Sequence, residues 1–377
     1  MKSDLFDYIK WRGDLSFCAS PMCEIDGAIF SMATYVEYDY ALPDGEMDDP
    51  ISFNYVLDSY FSMDEKKEIK LGLISPTDKI ISMLEIMKKT KRYSGIKISD
   101  FVNYISEKEC CQFCAMTFHL DDGSAVVSYR GTDDTIIGWR EDFNLSFLRQ
   151  TPSQRLASEY LNRIADKYNN SKIYVCGHSK GGNLAVYAAA TCRDDVKERI
   201  ERVFSYDGPG QSSEIIMSDG YEKICGRIDS FLPQSSLIGI MFNGGKYKVV
   251  NSTYKGPYQH DLYSWELDGP KYLRLSSLSS KGIKNQNGFN GIMGKMSDSE
   301  KESFVEIFFG AISSTGALTL SEISSSKLKS VGSMIKSLNG ISKEQKDVMA
   351  GIILKILDIR KDDELKRDIE QQNSEDE

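Results

Sequence analysis

The sequence predicts an α/β fold with a mostly parallel central sheet and a C-terminal helical appendage, and three observations carry that prediction. Apolar runs of strand length alternate with helical patterns between residues 112 and 254. A glycine-rich turn joins one of these runs directly to a helix of small residues. Past residue 275 the texture changes to Ser-, Gly- and Asn-rich loop and then to helices. Strand and helix in strict alternation is the signature of parallel βαβ units.

The elements follow in order. Residues 1–110 mix short apolar runs with helical stretches and carry no motif of their own. QFCAMTFHL and SAVVSYR, joined by Asp121-Asp122-Gly123, read as a hairpin. Thr151-Pro152-Ser153-Gln154 reads as a helix start, with a capping Thr, a Pro in the first turn and a Gln three residues after the cap. Leu156, Tyr160, Ile164 and Tyr168 continue at i+4 spacing beside Leu161 and Ala165, which makes one buried stripe. Ile173–Cys176 and Val203–Tyr206 are strand candidates on either side of the helix LAVYAAATC, and GRIDSFL and YKVVNST supply two more. Further on, Ser342 and Gln345 cap a helix with Val348, Ile352, Ile353, Ile356 and Leu357 on one face. The expected division is 1–275 as one domain (1–110 its N-terminal part, 111–275 its core), 276–360 as loop and helices, and 361–377 as an acidic, disordered tail.

Composition bounds the function. The chain has 377 residues, 41% hydrophobic and 27% charged, which is ordinary globular material. Lys plus Arg number 46 against 56 acids, a net charge of −10, so neither nucleic acid nor an anionic membrane is an expected partner. The start, MKSDLFDYIKWRGDLSF, has no apolar signal region, and no apolar run approaches the length of an integral membrane span. Eight scattered cysteines in a chain of this size read as reduced thiols, and a cytoplasmic location is expected. Cys110, Cys111 and Cys114 form the one cluster, without the second pair or His that a zinc site needs. No phosphate-cradling glycine motif occurs either, so no cofactor is expected.

Chemistry concentrates at Ile173-Tyr-Val-Cys-Gly177-His178-Ser179-Lys180-Gly181-Gly182-Asn183, a G-x-S-x-G with a strand before it and a helix after it. That context is a nucleophile elbow: a sharp turn lifts the Ser Oγ out of the sheet, and the residues two before and two after must be small to let the chain pass. Ser179 is the candidate nucleophile, and it needs a base. Of the three histidines, His178 adjoins the serine and should point away from its Oγ, and His119 sits on the hairpin. His260, in a loop after a strand candidate, follows the chain order Ser, acid, His and is the candidate base. Asp207, at the end of the strand after the nucleophile's helix, is the first candidate for the acid, with Asp229 the rival; Asp219 looks like turn chemistry. The N–H groups of Lys180 and Thr132 are the candidate oxyanion donors, the second from the strand-to-loop transition VVSYR-Gly131-Thr132.

YRGT followed by Gly138-Trp139-Arg140-Glu141-Asp142, together with GHSKGGNLA, resembles the class 3 lipase family of α/β-hydrolases. SYDGPG is similar to the strand-end Asp segment of pancreatic-type lipases. DYIKWRGDLSF, YRGTDDTIIGWREDFNLSF, GHSKGGNLAVYAA, SYDGPG and QHDLYSW match more closely a bacterial family of unknown function within this lipase-like group, labelled Mbeg-like. The likeness spans residues 4–275 and implies a lipase-like α/β-hydrolase fold, a Ser-Asp-His triad and esterase activity on a small ester or acyl substrate. One departure is Lys180, where true lipases carry an apolar residue. Its cation favours an acidic or polar substrate, unless it pairs with Glu141, Asp142 or Asp133. The alternatives are a thioesterase or amidase with the same triad, and a vestigial hydrolase whose helical C-terminus is an interaction surface. The oligomeric state is left open.

Overall fold

The structure is a computed structural model and describes residues 3–39, 41–42, 45–62, 77–242, 246–319, 322–323, 331 and 343. The helix start expected at Ser342 and the acidic tail lie outside the described residues. Helices α1 (Leu5–Arg12) and α2 (Glu24–Ala33), strand β1 (Ile51–Ser52) and helices α3 (Phe53–Phe61), α4 (Thr77–Lys88) and α5 (Lys91–Ser94) come first. Strands β2 (Lys97–Ser106), β3 (Cys111–His119) and β4 (Ala125–Tyr129) follow, then α6 (Ile136–Asn144) and α7 (Pro152–Lys167). The alternating part is β5 (Ile173–His178), α8 (Lys180–Thr191), α9 (Asp194–Arg199), β6 (Ile200–Tyr206), α10 (Ser213–Ile216), α11 (Asp219–Ile224), β7 (Ile228–Pro233) and β8 (Lys248–Val250). A ribbon of β9 (Leu267–Asp268) and β10 (Lys271–Tyr272), strand β11 (Arg274–Leu275) and helices α12 (Ser280–Met293) and α13 (Asp298–Ser313) complete the described chain.

Nine strands form one sheet in the order β1-β2-β3-β4-β5-β6-β7-β8-β11. The middle, β4 to β8, is parallel, and the flanking pairs are antiparallel. The α/β prediction therefore holds. The hairpin is β3–β4, and α7 begins with the expected capping box: Thr151 accepts from Gln154 N, and the Gln154 side chain accepts from Thr151 N.

Because side chains alternate across a strand, each central strand feeds two cores. Val127, Tyr129, Ile173, Val175 and Val203 meet α7 and α8 on one face. Val126, Tyr174, Cys176, Phe204 and Tyr206 meet α2 and its neighbours on the other. Residues 1–110, without a motif in sequence, thus supply most of a complete helical layer. That layer is tied internally by a buried Arg92–Asp26 pair at 2.7 Å, to which Tyr8 and Tyr93 also donate. The same alternation sends Cys111 and Cys114 into opposite cores, which separates them as ligands. All eight cysteines are free thiols. Among the described residues, no helix is long and apolar enough to cross a membrane.

A third cluster lies outside these two. Phe304, Val305, Phe308, Phe309 and Ile312 of α13 form a helical stripe that packs on Ile136 and Phe143 of α6. Arg140 pairs with Glu306 at its edge, and Ile136 N donates to Leu318 O at 3.0 Å.

Candidate active site

Strand β5 runs into α8 through a single residue, Ser179, whose φ of 58° and ψ of −132° lie in a region that non-glycine residues rarely occupy. The turn is held from the sheet, since Ser179 N donates to Tyr206 O at 2.9 Å. The flanking glycines are required by space. A Cβ on Gly177 would stand 2.1 Å from Gly181 O, and one on Gly181 would stand 2.1 Å from Tyr129 O. The small residues expected on either side of the serine are therefore a consequence of backbone crossing backbone.

Asp207 leaves β6 with a φ of 47°, its N–H donating to Phe231 O of the neighbouring strand at 2.8 Å. Its Oδ2 lies 2.7 Å from His260 Nδ1, and its Oδ1 accepts from Ser236 Oγ at 2.5 Å and Gly239 N at 3.1 Å. Gly239 must lack a side chain to come that close, because a Cβ there would stand 2.4 Å from the same Oδ1. With a fixed carboxylate on Nδ1, the ring of His260 presents Nε2 as the acceptor nitrogen. His260 sits in a short 3-10 turn, Gly256–His260, and like Ser179 is 9% exposed. The Ser179 hydroxyl is not hydrogen-bonded to the imidazole here; such contacts commonly tighten only when substrate is bound.

The rivals are elsewhere. Asp229 lies near the start of β7, where it pairs with Lys248 and Arg202. Asp219 opens α11. His119 pairs in register with Ala125, which in turn pairs with Ile173 at the first residue of β5, so it stands at the opposite end of the sheet from Ser179. There it bonds Ser99 Oγ at 2.8 Å, and burial pushes its pKa down to about 4. His178 is buried, and its ring bonds Tyr35 Oη and the His260 carbonyl, each at 2.9 Å.

Lys180 is the first residue of α8, so its N–H has no partner one turn earlier in the helix and faces the elbow with the positive end of the helix. Its side chain does something else. Nζ donates to Gln112 O at 2.6 Å, Gln112 Oε1 at 2.7 Å and Glu141 Oε2 at 3.0 Å, which uses all three ammonium protons. Both charged side chains are buried, at 1% and 0% exposure. Of the two readings of Lys180, the structure has the ion pair, with Glu141. The cation is not available to a substrate.

Thr132 Oγ1 donates to Asp142 Oδ2 at 2.6 Å, which leaves the threonine its backbone N–H. Asp142 Oδ1 is buried without a partner, and burial raises the Asp142 pKa to about 6 despite the opposing pull of Lys180 and the Thr132 bond. Sequence reasoning missed Tyr35, Ser236 and Gly239. Each is one polar residue or glycine in a segment without a motif, brought to the site by tertiary contact alone.

The fold and this arrangement together define an α/β protein with a strained serine between strand and helix, an aspartate at the end of the adjacent strand β6, and a histidine brought to that aspartate by the loop after β8. The chain belongs to the Mbeg1-like family, whose model matches residues 87–310. No curated protein matches it. Among solved structures it is similar to a fungal lipase at 12% identity, over 77% of this chain and 95% of that one, with a TM-score of 0.40. A mutant form of MDLA from Penicillium cyclopium is similar at 12% identity, over 72% and 92%, with a TM-score of 0.40. The Rhizomucor miehei lipase–propeptide complex is similar at 12% identity, over 74% and 92%, with a TM-score of 0.35.

Proposed function

We propose that the chain is a serine hydrolase that cleaves carboxylic esters through an acyl-enzyme, with Ser179 as nucleophile, His260 as base and Asp207 as the group that orients it. The observation that carries the reading is the 2.7 Å Asp207–His260 bond beside a serine held in a strained elbow. Asp207 accepts the Nδ1 proton and so keeps the Nε2 lone pair directed away from itself. His260 Nε2 takes the Ser179 proton as Oγ bonds to the ester carbonyl carbon, and the carbonyl electrons move onto oxygen. The N–H groups of Lys180 and Thr132 receive that oxyanion, each such donor being worth about 3 kcal/mol in the transition state. Collapse expels the alcohol, which leaves with the proton from His260. Water then repeats the cycle on the acyl-enzyme: its proton goes to His260 as its oxygen bonds to the carbonyl carbon, and the Oγ–acyl bond then breaks, Ser179 Oγ taking the proton back from His260 as the carboxylic acid leaves.

Because the Lys180 ammonium is held by Glu141 and Gln112, nothing in its placement favours an anionic substrate, and a small neutral ester is the class we assign. Eight free thiols favour a reducing compartment, and we place the reaction in the cytoplasm. The reading of the C-terminal helices as a free interaction surface draws no support from α13, whose apolar stripe is covered by α6. The test is intact-protein mass after a fluorophosphonate probe. One adduct is expected on the wild type and none on Ser179→Ala or His260→Ala. An unlabelled, folded wild type refutes the mechanism.

A further inference from the structure

The neighbourhood of Ser179 holds a second set of polar groups that the mechanism above does not use. Tyr35 follows the end of α2 and belongs to the N-terminal layer, yet its hydroxyl reaches across to His178 Nδ1 at 2.9 Å. His178 Nε2 in turn lies 2.9 Å from the backbone oxygen of His260. The two imidazole rings are in contact, tilted 37° to each other with centroids 4.3 Å apart.

Chemistry settles the direction of each bond. A carbonyl oxygen only accepts, so the proton on His178 is on Nε2. Burial holds the His178 pKa well below its ordinary value, so the ring is neutral and Nδ1 carries a lone pair. Nδ1 therefore accepts, and the Tyr35 hydroxyl donates to it. The same hydroxyl lies against Gly131, the residue before Thr132. Contact there is close: a Cβ on Gly131 would stand 2.2 Å from Tyr35 Oη and 2.9 Å from Ser179 Cβ. The result is a chain running one way, from Tyr35 to His178 to the His260 carbonyl, with Gly131 packed against its first member. It links the strand end that carries the candidate oxyanion donor to the loop that carries the candidate base, passing through the residue before the nucleophile.

We propose that Tyr35 and His178 are positioning residues, which lock the His260 loop to the nucleophile elbow through this directed chain and pack the Gly131–Thr132 strand end against it. The inference rests on the serine-hydrolase reading. The loop has other anchors, since Gln259 accepts from Ser235 N and donates to Tyr254 O, each at 2.8 Å. Trp265 Nε1 also donates to Gln259 O at 2.7 Å and Asp261 N to Tyr258 O at 3.1 Å; the His178 bond is the one that joins the His260 carbonyl to the nucleophile elbow. A neutral ring at His178 also leaves His260 free to become cationic when it takes the serine proton, whereas a charged ring beside it would oppose that step.

The test separates the two halves of His178. His178→Gln can place an amide N–H where Nε2 was and keep the bond to His260. His178→Asn can place an oxygen where Nδ1 was and keep only the bond from Tyr35. With a short p-nitrophenyl ester, His178→Gln should stay within about 3-fold of wild-type kcat, whereas His178→Asn should lose on the order of 10- to 100-fold with KM unchanged, the scale of a small misplacement of a catalytic group. Tyr35→Phe, which keeps the ring volume and breaks only the bond that His178→Gln also loses, should lower kcat by no more than about 3-fold without changing KM. A chain with only three histidines allows the tautomer to be read directly from 15N-histidine NMR, and wild-type His178 should carry its proton on Nε2. Equal kcat for the Gln and Asn variants, or a proton on His178 Nδ1, overturns the proposal while the hydrolase reading stands. A wild type that takes up no fluorophosphonate and turns over no ester overturns the hydrolase reading instead, and the positioning role falls with it.

Discussion

Replacing Lys180 by methionine removes the ammonium and keeps most of the buried volume. In the wild type Glu141 is fully buried and accepts from Gln112 N at 3.0 Å, Ser153 N at 2.9 Å, Ser153 Oγ at 2.7 Å and Lys180 Nζ at 3.0 Å. The first three are neutral donors; the ammonium is the only formal charge bonded to it. Lys180→Met leaves a buried carboxylate without its countercharge and Gln112 Oε1 without its donor. Losing one partner of a buried pair costs about 3–5 kcal/mol. Against a total stability of roughly 5–15 kcal/mol that is a large fraction. Lys180→Met with Glu141→Gln removes both charges, and the double variant should be about 2 kcal/mol more stable than the sum of the two single losses, because the sites are in contact. The assay is urea unfolding of the four proteins, comparing midpoints at equal slope. A Lys180→Met midpoint within about 1 kcal/mol of wild type refutes the reasoning, as does simple additivity, since a buried network cannot lose its cation so cheaply.

Three further outcomes follow from the same geometry. Asp207→Asn should lower kcat by about 10⁴-fold while Asp229→Asn leaves it near wild type, measured on a short ester; equal losses would remove Asp207 from the role assigned to it. Asp142 ionises near 6 in the folded protein against 3.8 in a free chain, so between those values the folded state binds more protons. Its contribution to stability is therefore present below pH 4 and lost as pH rises through 6, on the order of 3 kcal/mol. Urea midpoints at pH 4 and pH 7 should show a smaller fall for Asp142→Asn than for wild type, and parallel curves would refute the assignment. Phe308→Ala empties the centre of the α6–α13 contact, a loss of about 3–5 kcal/mol. Hydrogen exchange should rise in α6 and α13 while β4 to β6 stay protected, and unchanged exchange in α6 would show that α13 does not hold it.

Much of the local structure was legible because its causes lie within a few residues. In the elbow Gly177 gives way to Gly181 O four residues on, a constraint within the motif itself, whereas Gly181 gives way to Tyr129 O of the neighbouring strand. The start of α7 follows from one threonine and one glutamine three residues apart. The strands at 173–178 and 200–206 follow from the length and apolar content of their runs.

What the tertiary structure decided are the questions whose answer is a distance between remote residues. Asp207 and Asp229 both follow or occupy apolar strand segments, and local chemistry cannot separate them. The parallel register does, by carrying one to the loop of His260 and leaving the other among Lys248 and Arg202. Lys180 beside three nearby acids could pair or stay free, and only the packing of α6 against β3 selects Glu141 and Gln112. Residues 1–110 read as unassigned helices because an amphipathic face does not name its partner. Folding lays α2 on β5 and in doing so delivers Tyr35 to His178, a contact 143 residues long in sequence and 2.9 Å long in space.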